Sequence, residues 1–191
     1  TSRGLGDVYK RQRKDFKWYQ WVSKGDNLDI NKALFRLSKE ITESEFNNPL
    51  LIGIPRRGDL LAKRLSNNLI QFNYSHDLDT VDYLPFRDDL EKEVKKTNLS
   101  INPQDREIIL IDDVIYTGRT LRASIEAVVF SGRPKSISLL CLIDRGHREL
   151  PISPKFIGKN IPTNENEYVS VFLQEIDDVD KVEVTNIWNI F

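Results

Sequence analysis

Apolar side chains recur at helical spacing from Ile30 through Leu34 and Leu37 to Ile41, directly behind Asp29, which predicts a helix with that aspartate as N-cap. Lys32, Arg36 and Lys39 fall together on another face, by default a solvated one. The apolar run 50–54, closed by Pro55 and Gly58, predicts a buried strand and a loop. Leu61, Leu65 and Leu69 then mark a second helix. Residues 80–86 resemble a strand. Residues 87–106 are so densely charged and weakly patterned that a mobile loop or hairpin is expected. A second buried strand at 107–111 leads through a loop into a helix with Leu121, Ile125, Val128 and Val129 inward, ended by Gly132 and Pro134. Residues 136–143 read as a third strand, and 155–157 and 168–173 as shorter β segments.

Strands alternating with helices predict an α/β fold, a central, mainly parallel sheet flanked by helices, because each parallel crossover needs a covering element. In such a sheet the ligand crevice lies beyond the carboxyl ends of the strands. Three polar pairs stand there: Arg56 and Arg57 after Ile54, Asp112 and Asp113 after Ile111, Asp144 and Arg145 after Ile143. Three separate stretches of chain are thereby expected to converge on one site.

A chain of 191 residues, 39% hydrophobic and 30% charged, fits one soluble domain. It has no run of about eighteen apolar residues to span a bilayer, and no charged-then-apolar start, so a cytoplasmic protein with no membrane partner is expected. The single cysteine, Cys141, lies inside the third strand and reads as a small buried side chain. His76 and His147 show no metal-ligand spacing, so any metal should be hard and oxygen-bound. The chain contains no methionine, and residues 7–12 (DVYKRQ) look like a translated sequencing-adapter end. Residues 1–12 are therefore taken as a non-native leader, and 13–191 as a single domain. The leader holds Arg3, Lys10 and Arg11 against Asp7, a net of plus two, so the formal charge of −1 becomes −3 for the rest. A nucleic-acid surface would have to be local.

Residues 108–120 join a buried strand, the carboxylates Asp112 and Asp113, and a turn through Thr117, Gly118, Arg119 and Thr120 that opens a helix. A helix N-terminus offers unpaired amide donors and partial positive charge, and glycine lets a phosphate come close to the backbone. Two adjacent carboxylates at a strand end can accept from two neighbouring ribose hydroxyls, which offsets the cost of burying them. The competing reading is a capped helix after an exposed acidic turn.

These thirteen residues match the phosphoribosyl pyrophosphate (PRPP) motif of type I phosphoribosyltransferases. From about Asp29 to Val184 the chain resembles the PyrR family, pyrimidine operon regulators with uracil phosphoribosyltransferase activity. The resemblance is carried by Phe86-Arg87-Asp88-Asp89-Leu90, by the stretch from Asp112 to Thr120, by Asp144-Arg145-Gly146-His147-Arg148-Glu149-Leu150-Pro151-Ile152, and by Ile157-Gly158-Lys159-Asn160-Ile161-Pro162-Thr163. It implies the type I phosphoribosyltransferase fold with a small hood and a flap at about 87–106. Asp112 and Asp113 are expected on the ribose hydroxyls, and Tyr116, Thr117, Gly118, Arg119 and Thr120 around the PRPP 5′-phosphate. Arg56, Arg57 and Gly58 are expected at the pyrophosphate, with a non-proline cis bond between Arg56 and Arg57. Magnesium is expected to arrive on PRPP, with no direct protein ligand.

The implied reaction joins uracil to PRPP, giving UMP and pyrophosphate. Charge stabilisation is its main requirement, with Arg56, Arg57 and a closing Arg87 suited to the leaving group. Purine-specific relatives usually carry an acidic residue where Tyr116 stands, which favours uracil. The base is expected against Asp144, Arg145, Gly146 and His147, with a structural hydrogen bond as the alternative role for His147. The resemblance also implies control by UMP or UTP of binding to a pyrimidine-operon leader mRNA. Lys32, Arg36, Lys39, Arg145 and Arg148 are the candidate contacts, although Phe35 replaces a small hydroxyl residue of relatives and Pro55-Arg56 replaces the commoner Lys-Thr. A homo-oligomer, dimer or higher, is expected. The alternative is a phosphoribosyltransferase for another base, without RNA-binding regulation.

Overall fold

The computed structural model describes residues 28–88 and 99–186. The expected leader 1–12 lies outside them, as does 89–98, the middle of the expected flap. Helix α1, Ile30–Thr42, opens as predicted: the Asp29 carboxylate accepts from the Lys32 N–H, and Ile30, Leu34, Leu37 and Ile41 are buried. Strand β1, Leu50–Gly53, is followed by helix α2, Gly58–Gln71, with Leu61, Leu65 and Leu69 inward. Strand β2 spans Asp77–Thr80, β3 Glu107–Ile115, helix α3 Arg119–Ser131, β4 Ser136–Asp144 and β5 Phe156–Asn160. A hairpin of β6, Glu167–Phe172, and β7, Lys181–Asn186, encloses the short helix α4, Gln174–Asp177.

Among the described residues the main sheet has the order β2-β1-β3-β4-β5, and every pairing in it is parallel. The central strands carry Ile and Leu on both faces, as a doubly covered parallel sheet requires. Helices α1 and α2 share one apolar cluster with one sheet face, and α3, Val81 and Phe86 share the other. Val171 and Leu173 join the first cluster, so the antiparallel hairpin packs on the same side as α1 and α2. This hairpin is the hood.

Four local expectations are corrected. Residues 80–86 are not a strand: β2 ends at Thr80, and Leu84–Phe86 form a 3₁₀ turn started by Pro85, which has no ladder donor. The half-buried edge strand β2, Asp-Leu-Asp-Thr, lacked an apolar signature. In α3 the buried stripe is Leu121, Ala123, Ser124, Ala127 and Val128, while Ile125 is half-buried and Val129 is exposed. Small residues form most of that stripe and gave a weak periodicity. Strand β3 continues four residues past Ile111, because β4 pairs with it as far as Ile115.

Candidate active site

The site begins where β1 stops and β3 does not. Gly53 pairs with Ile111, the Ile54 N–H still donates to the Ile111 carbonyl at 2.9 Å, and the chain then turns away. From Asp112 onward β3 keeps β4 on one side and lacks β1 on the other. Gly58 makes the turn possible, since a Cβ there would lie 2.3 Å from the Ile111 carbonyl oxygen and 3.1 Å from the Asp112 Cα. The start of α2 is thus pressed against the strand that bears the acid pair.

Asp112 is buried and Asp113 half-buried. Asp112 Oδ1 accepts from the Asp113 N–H and Asp113 Oδ1 from the Val114 N–H, each at 2.9 Å. Among the described residues no Lys, Arg or His forms an ion pair with either. Burial, and then the charge of Asp113, push the Asp112 carboxyl well above the usual carboxylate range. Burial also raises Asp113, while hydrogen bonds and the Arg57 charge oppose the shift. Desolvated acceptors without a cation have much to gain from hydroxyl donors.

In the loop between β1 and α2 the non-proline cis peptide joins Pro55 to Arg56, one bond before the expected Arg56–Arg57. Arg57 already belongs to the helix start, its carbonyl accepting from the Leu61 N–H at 3.0 Å. Its Nη2 meets the Asp177 carboxylate at 3.2 Å, but its Nε is buried without a hydrogen-bond partner among the described residues. A buried charged donor left unmade is costly, and an acceptor from outside the chain would remove that cost.

Tyr83 ties the loops together and was missed, because 80–86 read as a strand. It hydrogen-bonds Arg87, and its hydroxyl is pushed up by burial and then by Asp112, against the opposing charges of Arg87 and Arg56. Three predicted site groups, Asp112, Arg87 and Arg56, therefore lie around one ring. Opposite them, α3 starts on Gly118, which has φ +90° and provides no side-chain cap. Thr117 Oγ1 stands 3.5 Å from the Arg119 N–H, at the limit of a hydrogen bond. The Arg119 side chain is exposed and turned toward Glu149 (2.7 Å) and Asp88 (3.6 Å).

The turn after β4 completes the crevice. Asp144 accepts from the Gly146 N–H at 2.8 Å and pairs with Arg148 at 2.6 Å, so its carboxylate is already engaged. Gly146 and His147 are both left-handed, with φ +76° and +57°. His147 Nε2 donates to the Thr163 carbonyl and its ring packs edge-on to Tyr116, centroids 5.9 Å apart. The structural hydrogen bond considered for His147 is thus present.

The candidate RNA contacts divide into two kinds. Arg145 is buried, donates to Thr163 Oγ1 and the Glu167 carbonyl, and lies 4.1 Å from the Tyr116 ring centroid. Arg148 donates to the carbonyls of Tyr116 (2.7 Å), Gly146 and Ile152, joining the β4 turn to the end of β3. Both point into the fold. On α1, Arg36 binds Glu40 and the carbonyls of Ile157 and Gly158, which fastens the helix to β5. Lys32, beside Asp29, and Lys39, over the Phe35 ring, face outward.

Among the described residues no three of His, Cys, Asp and Glu gather to hold a metal, and no helix is long and apolar enough to cross a membrane. Phosphoribosyltransferase is the class that this fold defines. A family model for the phosphoribosyl transferase domain matches residues 24–176. Two solved hypoxanthine phosphoribosyltransferases are similar in fold. That of Staphylococcus aureus has a TM-score of 0.65 at 20% identity, covering 85% of this chain and 90% of that one. That of Trypanosoma cruzi has 0.61 at 17%, covering 82% and 91%. A nearer likeness in sequence is to bifunctional protein PyrR of Streptococcus pneumoniae strain CGSP14, 45% identical over 163 residues, 84% of this chain and 94% of that protein. The serotype 19F strain G54 protein matches equally. The chain belongs to the PyrR family.

Proposed function

We propose that this protein transfers the phosphoribosyl group of PRPP to uracil, giving UMP and pyrophosphate, and that UMP or UTP in the same site governs its binding to a pyrimidine-operon leader RNA. The acid pair carries the catalytic half of this reading. Asp112 and Asp113 are desolvated, have no cation partner among the described residues, and stand beside an uncapped helix start. Vicinal ribose hydroxyls donate to them, and the amides behind Gly118 receive the 5′-phosphate that PRPP and UMP share. As the bond from the anomeric carbon to pyrophosphate breaks and the bond to the uracil nitrogen forms, the proton of that nitrogen passes to water or the departing pyrophosphate, and positive charge grows on the ribose, close to the pair. Arg57 and Arg56 hold the departing oxygens, with Arg87 alongside.

Magnesium belongs on the substrate. Among the described residues no third carboxylate joins Asp112 and Asp113, so the ion would be carried by PRPP's own oxygens, with no direct protein ligand. When bound, the ion neutralises charge on the leaving pyrophosphate. The base lies against the 144–147 turn. With the Asp144 carboxylate and both backbone groups of Gly146 engaged in shaping the turn, uracil is read there by the Arg145 carbonyl and the His147 N–H. The protein acts in the cytoplasm as a homo-oligomer of one domain, 13–191.

Steady-state assays with uracil, orotate and hypoxanthine test the enzyme. Uracil alone should support turnover, and preferred use of hypoxanthine would leave a phosphoribosyltransferase for another base. The RNA half is supported by the PyrR likeness and by the outward lysines of α1. An electrophoretic binding assay with a pyrimidine leader should show UMP-enhanced binding at low salt; its absence would remove the regulatory half.

A further inference from the structure

Two arginines pair with hood carboxylates, and they are used differently. Arg64 donates from Nε, Nη1 and Nη2: to Glu175 at 2.9 and 2.6 Å, to Asp180 at 2.7 and 2.8 Å, and to Asn31 Oδ1 at 3.2 Å. That clamp fastens α4 and the start of β7 to α2. Asp177 lies between its two anchored carboxylates and is fixed further. Its Oδ2 accepts from the Leu173 N–H at 3.0 Å, and its own N–H donates to the Leu173 carbonyl at 2.8 Å. Its side chain is 10% exposed, and among the described residues the cation it meets is Arg57, at 3.2 and 3.3 Å through Nη2. Arg64 uses every one of its donor nitrogens, whereas Arg122, held by Glu126 and the Phe86 carbonyl, leaves its buried Nε without a partner among the described residues. Arg57 also keeps a buried Nε without a partner among the described residues, and it does so beside the acid pair, within reach of the Asp113 charge.

We propose that Asp177 is a positioning residue for Arg57: the immobilised hood carboxylate fixes the guanidinium so that its remaining donor meets the pyrophosphate of PRPP. The inference rests on the PRPP-binding reading of the site. It couples the hood to the pyrophosphate loop, so the direction of Arg57 depends on a residue 120 positions away in sequence. Without the carboxylate, the guanidinium loses its fixed direction, and ligands that carry a pyrophosphate group are the ones that weaken.

The test compares PRPP with UMP, which has the same ribose and 5′-phosphate and no pyrophosphate. Asp177→Asn keeps an oxygen for the Leu173 N–H and removes the charge that holds Arg57. The dissociation constant for PRPP with magnesium should rise about tenfold, the scale of one charge-assisted hydrogen bond, while that for UMP changes less than about twofold. In an Arg57→Gln background, Asp177→Asn should add less than about twofold, because both changes remove one effect. Asp177→Glu should recover part of the PRPP affinity. Equal weakening of PRPP and UMP, multiplication of the two single effects, or unchanged PRPP binding would each overturn the proposal. So would an Asp177→Asn protein that unfolds while Arg57→Gln folds, since that marks a structural carboxylate. If the unmodified protein fails to bind PRPP, the underlying reading falls as well, which separates that failure from the others.

Discussion

The hood and the end of β3 each hold a pair of carboxylates partly withdrawn from water, and they are treated in opposite ways. Glu175 and Asp180 converge on the forked guanidinium of Arg64, whose hydrogen bonds hold both carboxyls below the ordinary range. Asp112 and Asp113 have the amide of the following residue and each other, with no ion-paired cation among the described residues, and burial drives both the other way. Compensated charge closes a structure; uncompensated charge at the open edge of a strand is matched by something that arrives later. The deeper burial of Asp112 and Asp113 drives their shift upward, while the Arg64 hydrogen bonds to the more exposed hood pair drive theirs down.

The largest effect should come from breaking the uncompensated pair. Asp112→Asn keeps the shape and removes one charge, and kcat/KM with PRPP should fall by one to several powers of ten. Stability should move the other way. A carboxyl whose folded pKa is raised retains its proton longer in the native state, so the native state loses stability as pH rises from the ordinary carboxylate pKa through the raised one. Above the ordinary carboxylate pKa, neutral pH included, the pair therefore opposes folding, and Asp112→Asn should melt higher than the unmodified protein without ligand. Asp112→Ala should also stay folded and lose turnover. Thermal melts beside steady-state rates check both. Near-native turnover would end the ribose assignment, and a lower melting temperature in the Asn variant would place this pair with the hood's.

Next in size is the phosphate cradle. Gly118 has φ +90°, where a β-branched residue is strained, although a Cβ would meet nothing nearer than 3.7 Å. Gly118→Val should weaken PRPP and UMP together, by about tenfold or more, because both present a 5′-phosphate to the same amides. Calorimetric titration gives both constants, and unchanged UMP affinity would put the phosphate elsewhere.

Much of this contrast was legible in the chain. The run from Ile108 to Thr120 announced a buried strand, an acid pair and a glycine turn, and the strand-helix alternation placed Arg57, Asp112 and Asp144 at one sheet edge. What escaped was set by partners distant in sequence. β2 is a polar edge strand whose pairing to β1 needs no apolar signature. Tyr83 enters the site because Pro85 starts a 3₁₀ turn where alternation suggested a strand. Arg145 and Arg148 looked like surface charges, and only Thr163, Glu167 and the carbonyls of Tyr116 and Ile152 turn them inward. The Arg64 clamp joins residues more than 100 positions apart, and local pattern carries no trace of it.

The compensated pair should fail in the opposite pH direction. Carboxyls with depressed folded pKa values contribute stability above their unfolded values, roughly pH 4, and lose it as pH falls through the lower folded ones. Arg64→Met should lower the melting temperature by several degrees at neutral pH and flatten the acid limb of stability below about pH 4. Thermal melts between pH 3 and 7 check the sign. An unchanged acid limb would mean that Arg64 does not hold these carboxyls in solution.

The smallest effect sharpens the same distinction on α1, where three basic residues share one helix. Arg36 is compensated, held by Glu40 and two carbonyls of β5, so replacing it should act on folding. Lys32 and Lys39 extend outward, and the ion pair of Lys32 with Asp29 is exposed and therefore weak. If RNA phosphates meet this face, replacing either lysine with alanine should reduce the logarithmic salt slope of binding by about 0.7, the share of one phosphate on a single strand. Uracil transfer should persist in both variants, since the lysines stand on a helix flanking the sheet and the reacting groups at its carboxyl edge. Arg36→Ala should leave the slope nearly unchanged and lower the melting temperature. An Arg36 variant that flattened the slope as much as the lysine variants would mean that RNA draws this guanidinium out of its contacts with β5, and compensation in the unbound chain would then no longer predict which charges meet a ligand.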